Sequence, residues 1–344
     1  MKLLFTGVYS CFHGGLECFA ERAAKALRER GHSVDSVGDI PSVLDDYDFV
    51  LIQKLPPTVQ DLRRLKEKYG EKLHFFAHDH DIYCLRRHYY DPFHRNCSRT
   101  YSFFPCRLCA MVTRPQWIYR ALTRDMNGFA QEMRSVKCFT PSSYMRDNLI
   151  KWGFPPDRIR VLNPYFAPAE VSHTDWMPNK VLRMLFLGQL IAGKGCAVLL
   201  EAMRLMTIPC ELTVVGTGRD EAKLRQAAPA NVRFEGWQDN PYRYFKTTDV
   251  YVFTSLWNEP FGIVGAEAQN HGIPAVAFNG GGVCEWLHPG ETGLLTASKS
   301  PEELAAVLTK IADPELLARF SANAMNYAQG LYDPDKFVQR LLEF

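Results

Sequence analysis

The chain has 344 residues, 47% of them hydrophobic and 23% charged, with a formal net charge of +2; this is more than one compact core usually holds, so two domains with real cores are expected, and neither disorder nor a fibrous repeat is. The near-neutral balance gives no reason to expect nucleic acid as a partner. No apolar run reaches the roughly 18 to 20 residues that span a bilayer, and ten cysteines behind an N-terminus that reads as a first strand, not a cleaved leader, point to a reducing cytoplasm.

Apolar strand-like runs alternate with amphipathic helical stretches, the pattern of parallel sheets with crossover helices, so the fold class is α/β. "KLLFT" is followed by Gly14 and Gly15 and then by "LECFAERAAKALRER", whose Leu16, Phe19, Ala20, Ala23, Ala24 and Leu27 keep helical spacing. "YDFVLIQ", "KLHFFAH", "VKCFTPS" and "RIRVLN" read as further buried strands, giving a first domain over residues 1–166. A Pro-rich segment with no sustained period supplies a linker over 167–180. The alternation restarts for a second domain over 181–330: "VLRMLFLG", a helix over 195–206, "CELTVVG", a helix over 219–227, "VRFEG", "DVYVFTS", a helix over 262–271 and "PAVAFN". Two amphipathic helices end the chain, broken near "GLYDPD"; the last, about 331–344, is too short to stand alone and is expected to pack back on the first domain. Two Rossmann-like doubly wound domains would turn the carboxyl ends of both sheets toward a shared central cleft, where such folds bind ligands.

The segment "SLWNEPFGIVGAEAQNHGIPAVAFNGGG" (255–282) sets Glu259 in the loop after a strand and Glu267 inside the following helix. The amides of Phe261, Gly262 and Ile263 open that helix without intrahelical acceptors, which makes its start an anion site. Carboxylates accept hydrogen bonds from paired hydroxyls, so a phosphate flanked by two polyols, as in a nucleotide diphosphate sugar, would use all three features. Gly14 and Gly15, after the first strand, would let backbone amides approach a phosphate or simply make a tight turn. "GVYSCFHGG" does not fit the G-x-G-x-x-G dinucleotide fingerprint.

In these residues the chain resembles the retaining GT-B glycosyltransferases of family 4, whose signature is Glu-x7-Glu. The likeness runs through 232–295, including Gly281, Gly282 and Glu285, and extends to "GGLE" (14–17) and "FLGQLIAGKG" (186–195). It implies a GT-B fold in which Glu267 holds the ribose hydroxyls, Glu259 and the amides of Phe261 to Ile263 hold the donor sugar and phosphates, and Lys194 neutralises the diphosphate. It also implies a His near the reaction centre, which aligns with His78 of "FFAHDHD" (75–81). The H-x-H-D pattern there reads as a metal site too, but Lys194 and the helix amides would neutralise the diphosphate without a cation. One departure stands out: the family usually has Arg where this chain has Gln189, which cannot supply that charge; Arg183, Arg87 and Arg86 are the candidate substitutes.

Cys84, Cys97, Cys106 and Cys109 lie in one irregular stretch and read as a structural zinc site, an iron–sulfur ligand set, or four reduced thiols. The same stretch, continued to Arg134, is rich in Arg and aromatic residues, which suits a lipid phosphate or membrane surface as well as an ordinary solvated loop.

The resulting expectation is a retaining glycosyltransferase. It would move a sugar from a UDP- or GDP-sugar to a hydroxyl acceptor, a glycan or lipid-linked glycan, in glycan, glycolipid or surface polysaccharide synthesis. It would need no cofactor for catalysis and would work in the cytoplasm, with peripheral contact at the inner face of the membrane. His78, Lys194 and Glu259 are the candidate catalytic residues. Gly14, Gly15, Gln189, Lys194, Glu259, Phe261, Gly262, Ile263 and Glu267 are the candidate donor-binding residues. The rival readings are a non-catalytic nucleotide-sugar-binding subunit and a nucleotide-sugar epimerase of GT-B architecture.

Overall fold

The computed structural model describes residues 1–8, 15–41, 44–91, 93, 95–99, 101–112, 115–166, 181–331 and 333–344. The expected linker over 167–180, and Gly14, lie outside the described residues. The chain divides into two units, residues 1–167 with 333–344, and residues 168–332.

In the first unit the chain runs β1 (Lys2–Thr6), α1 (Gly15–Arg28), β2 (Ser33–Val37), β3 (Phe49–Ile52), α2 (Val59–Tyr69), β4 (Leu73–Phe76), α3 (Phe103–Met111), α4 (Pro115–Thr123), α5 (Met126–Met133), β5 (Lys137–Thr140), α6 (Ser143–Lys151) and β6 (Ile159–Val161). The strands form one parallel sheet in the order β2-β1-β3-β4-β5-β6. β3 and β4 are buried along their whole length, which is why they read as unbroken apolar runs. One face packs Leu62, Leu65, Phe129, Met133, Met145 and Leu149 against the sheet; the other carries the small and aromatic stripe of α1. α2 starts on a capping box, Thr58 accepting from the Asp61 amide while Asp61 accepts from that of Thr58.

The second unit runs β7 (Leu182–Leu187), α7 (Cys196–Leu205), β8 (Cys210–Val215), α8 (Glu221–Ala227), β9 (Val232–Gly236), β10 (Val250–Phe253), α9 (Ile263–Asn270), β11 (Ala275–Phe278), β12 (Gly293–Thr296), α10 (Pro301–Ile311) and α11 (Pro314–Leu331). Its sheet is parallel as well, in the order β12-β11-β10-β7-β8-β9. The order reverses direction between β7 and β10, so the loops leaving those two strands flank a topological switch point, the usual ligand position of open α/β sheets.

Two helices, not one, precede the break near 330: α10 and α11 are separated at Asp313, ahead of Pro314, which takes the first position of the new helix. α12 (Pro334–Leu342) belongs to the first unit. Its Phe337 meets Phe19 of α1 edge-on at 5.9 Å, Asp335 pairs with Arg30, and the carbonyl of Phe344 accepts from Lys137 Nζ at 2.7 Å.

Candidate functional site

Lys194 follows β7 and Glu259 follows β10, so the two strands at the switch point deliver them to one place. Lys194 Nζ donates to Glu259 Oε1 at 2.6 Å; the same oxygen accepts from Ser255 Oγ at 2.5 Å and from Trp257 Nε1 at 2.7 Å. Burial alone would raise the carboxyl's pKa, but the Lys194 ammonium and these three hydrogen bonds outweigh it and hold Glu259 below its ordinary value. The carboxylate is therefore ionised although the residue is only 8% exposed. Trp257 also lies under Lys194, with Nζ 5.3 Å from its ring, and packs so closely on Gly193 that a Cβ there would collide with the indole.

Gly262 caps α9 with φ +96°, a left-handed conformation that favours glycine. Among the described residues the amides of Gly262, Ile263 and Val264 have no acceptor, while those of Gly265 and Ala266 already bond back to Gly262. Phe261 is buried and its carbonyl accepts from Trp286 Nε1 at 2.8 Å, which fixes the entry to the helix. Glu267, in the second turn of α9, is buried, and its Oε1 accepts from the Tyr242 hydroxyl at 2.9 Å. Tyr242 in turn stacks on His271.

Gln189 is exposed beyond the end of β7. Of its candidate substitutes, Arg183 is engaged elsewhere: it forks onto Asp249, bonding one oxygen at 2.7 Å and receiving support from the Arg183 amide on the other. Arg87 pairs with Asp79, and Arg86 lies with it in the first unit. Besides Lys194, a second cation that stands near Glu259 is Lys299, which no motif marked. Its Nζ donates to the carbonyl of Leu256 at 2.6 Å, and burial lowers its pKa against the opposing pull of Glu259.

In the first unit, His78 leaves β4 and bonds through Nε2 to Oε1 of Gln53, which leaves β3. The ring stacks on Phe76 and meets Phe19 edge-on. Burial, then the Lys54 ammonium, push His78 down to about 3, so the imidazole is neutral at ordinary pH. Lys54 is itself paired with buried Glu17 at 3.7 Å. Gln53 Nε2 is buried without a partner among the described residues, a donor that sequence reasoning did not pick out. Gly15 opens α1 and is exposed. The neighbours of His78 do not gather into a metal site: Asp79 pairs with Arg87, Asp81 with Arg120, and His80 Nδ1 bonds the Tyr83 hydroxyl. Among the described residues, no helix is long and apolar enough to cross a membrane.

Residues 177–327 match the family model described as "Glycosyl transferases group 1". Among curated proteins, the chain is 31% identical over 226 residues to a D-inositol 3-phosphate glycosyltransferase of Thermomonospora curvata, covering 56% of this chain and 52% of that one. It is 26% identical over 219 residues to the lipopolysaccharide core biosynthesis glycosyltransferase LpsE of Rhizobium meliloti, covering 60% and 63%. The chain thus spans between about half and two thirds of the length of these relatives. Among solved structures, Anabaena HepE in complex with UDP superposes with a TM-score of 0.72 at 20% identity, covering 100% of this chain and 99% of that one. WaaG, a glycosyltransferase involved in lipopolysaccharide biosynthesis, superposes with a TM-score of 0.66 at 18% identity, covering 99% and 100%. The fold is the two-unit GT-B fold of these neighbours.

Proposed function

We propose that this chain, with its group 1 glycosyltransferase match over 177–327, transfers a sugar from a nucleotide diphosphate sugar to a hydroxyl acceptor with retention at the anomeric carbon. The observation that carries the reading is the pairing of half-buried Lys194 with buried Glu259 beside the unpartnered amides that open α9. A diphosphate at that helix start takes the free amides and draws on Lys194, and Glu259, kept anionic, accepts hydroxyls of the sugar. Glu267 and the Tyr242 hydroxyl suit a ribose diol. HepE has been solved with UDP-glucose, which supports a uridine donor as the first choice over a GDP-sugar.

The chemistry is electrostatic. As the bond to the leaving diphosphate breaks, negative charge grows where Lys194 and the α9 amides sit, and their stabilisation increases in the transition state. Lys299 supplies the second positive charge that Gln189 lacks. His78, with its pKa near 3, is a poor base at neutral pH; its imidazole, held by Gln53, is suited to hydrogen bonding and not to proton abstraction. A donor phosphate oxygen takes the acceptor proton on the face from which the diphosphate leaves, which gives retention. The chain's own cations carry this step, without a cofactor.

The acceptor fits a glycan or lipid-linked glycan, as the lipopolysaccharide relatives suggest. α3 and α4 expose Phe103, Phe104, Leu108, Tyr119 and Leu122, with Phe104 81% exposed and Arg107 over the Phe103 ring. This apolar, cationic pair of helices suits peripheral contact with an anionic membrane surface.

The test is incubation with a panel of UDP- and GDP-sugars, with and without an acceptor extract. Acceptor-dependent release of the nucleoside diphosphate, with the sugar joined through its original anomeric configuration, is expected. Binding without release would favour a non-catalytic subunit, and conversion of the donor with no acceptor an epimerase.

A further inference from the structure

The first unit carries a second chemical feature, apart from the residues assigned above. Cys84, Cys97, Cys106 and Cys109, spread over 26 residues of sequence, line a single cavity of about 40 Å³ walled by Tyr83, Tyr89 and Trp152. Three separate local structures bring them there. The first is the turn after β4, in which the Arg87 amide bonds back to the Cys84 carbonyl at 3.0 Å. The second is a hairpin in which the Cys97 amide donates to the Tyr89 carbonyl at 2.9 Å and Tyr90 bridges Asn96. The third is α3, where Cys106 and Cys109 stand three residues apart and so share a face.

Donors are aimed at the sulfurs. The Ser102 amide donates to Cys106 Sγ at 3.3 Å, and Arg86 Nη1 approaches Cys109 Sγ at 3.9 Å. Arg86 has no carboxylate partner among the described residues, and its Nε is buried without an acceptor. A half-buried guanidinium facing neutral thiols is poorly compensated; facing thiolates it is paired. Arg87 and Tyr89 hold φ +64° and +49°, left-handed conformations that side chains rarely adopt and that persist only where the surroundings enforce them. Tyr89 is held by packing on His80 and Tyr83, whereas α3, which carries two of the cysteines, buries only Ala110 fully and has little apolar anchorage of its own.

We propose that Cys84, Cys97, Cys106 and Cys109 are the four ligands of one tetrahedral zinc ion that ties the turn after β4 to α3. Zinc displaces the four thiol protons to solvent and leaves a dianionic centre, which Arg86 and the Ser102 amide stabilise. Among the described residues no three such side chains already converge as a ready-made ligand set, so ion binding draws the thiols inward by side-chain rotation. An all-thiolate set also suits iron–sulfur clusters; the choice of zinc rests on the proposed sugar transfer, which moves no electrons. The ion is structural. By fixing Arg87 it fixes the ion pair to Asp79, next to His78.

The experiment is metal analysis of the full-length protein, together with thiol labelling before and after a membrane-permeable zinc chelator. About one zinc per chain is expected, with chelation exposing the four cluster thiols to alkylation while Cys210, outside the cavity, reacts the same in both states. Cys106→Ser with Cys109→Ser should lower zinc to under about a tenth of an equivalent, and Cys210→Ser should leave it unchanged. Protein purified from zinc-supplemented medium with no metal overturns the proposal, and so does zinc that survives the double substitution. Iron with visible absorbance overturns the choice of ion. If the double variant fails to fold, the labelling pattern of the unaltered protein decides. None of these readouts depends on donor binding, so failure here is distinct from failure of the transferase reading.

Discussion

Lys194 and Glu259 are 65 residues apart in sequence and 2.6 Å apart in space, and Glu259 uses one oxygen for three donors. Concentrating the donors on Oε1 leaves the other oxygen of an ionised carboxylate as the one to meet a ligand.

Lys194→Ala should reduce turnover more than donor affinity, since the charge matters most as the diphosphate leaves. Equal turnover in steady-state assays would refute the assignment. The variant also strands a buried carboxylate and should lose about 2 kcal/mol in denaturant unfolding at pH 7. The lost contribution has a pH signature: Glu259 is depressed below its ordinary 4.5, so the pair stabilises the native protein above that value and the effect fades as pH falls below it.

Tyr242→Phe removes one hydrogen bond to Glu267 and should weaken binding of a nucleoside diphosphate about fivefold by calorimetry. Glu267→Ala should weaken it further while the melting temperature stays near that of the parent. Unchanged affinity in both would remove the ribose role from this end of α9.

Lys299→Ala and Arg183→Ala separate two cations that sequence alone cannot rank. The first should slow sugar transfer about tenfold with little change in melting temperature. The second strips the guanidinium from Asp249, 1% exposed, leaving the backbone amide of position 183 on it, and should cost about 3 kcal/mol of stability, seen as an early thermal transition. A reversed pattern would return the compensating charge to Arg183.

His74, stacked on Phe49 at 4.1 Å, is pushed by burial from 6.5 down to about 4. Between those values the unfolded chain binds the extra proton. Its contribution is complete above pH 6.5 and fades as pH falls toward 4, by about 3 kcal/mol in all. Urea unfolding at pH 7 and pH 4.5 should show the loss; His74→Phe should shrink the difference and leave the share of His78.

Phe104→Asp with Leu108→Asp should abolish flotation with vesicles containing anionic lipid and leave donor binding intact. Flotation equal to that of the unaltered protein would remove α3 from any membrane contact.

The sheets were legible because parallel strands buried on both faces are written as continuous apolar runs, and "FVLI" and "LHFF" are plain cases. β2, "SVDSV", escaped because an edge strand with one buried residue keeps a polar alternation. β12 begins with glycine and buries only its first and last residues, so it does not stand out from a loop. α3 lay hidden because its large residues face outward, and α4 because among its described side chains only Trp117 and Ala121 are buried, too short an apolar stripe to stand out. In the candidate site, the acids and glycines around α9 could be read from spacing. Ser255, Trp257, Lys299 and Gln53 could not, because each reaches its partner through the topology of its sheet and leaves no local period behind.

The attachment of α12 has a consequence for how the protein is made. The aromatic and alanine surface of α1 is covered by Phe337, Val338 and Leu341, which leave the ribosome after the entire second unit has been synthesised. The first unit therefore waits, with that surface uncovered, for a helix made after the whole second unit, and removing α12 from Asp333 onward would leave the face of α1 sticky for good.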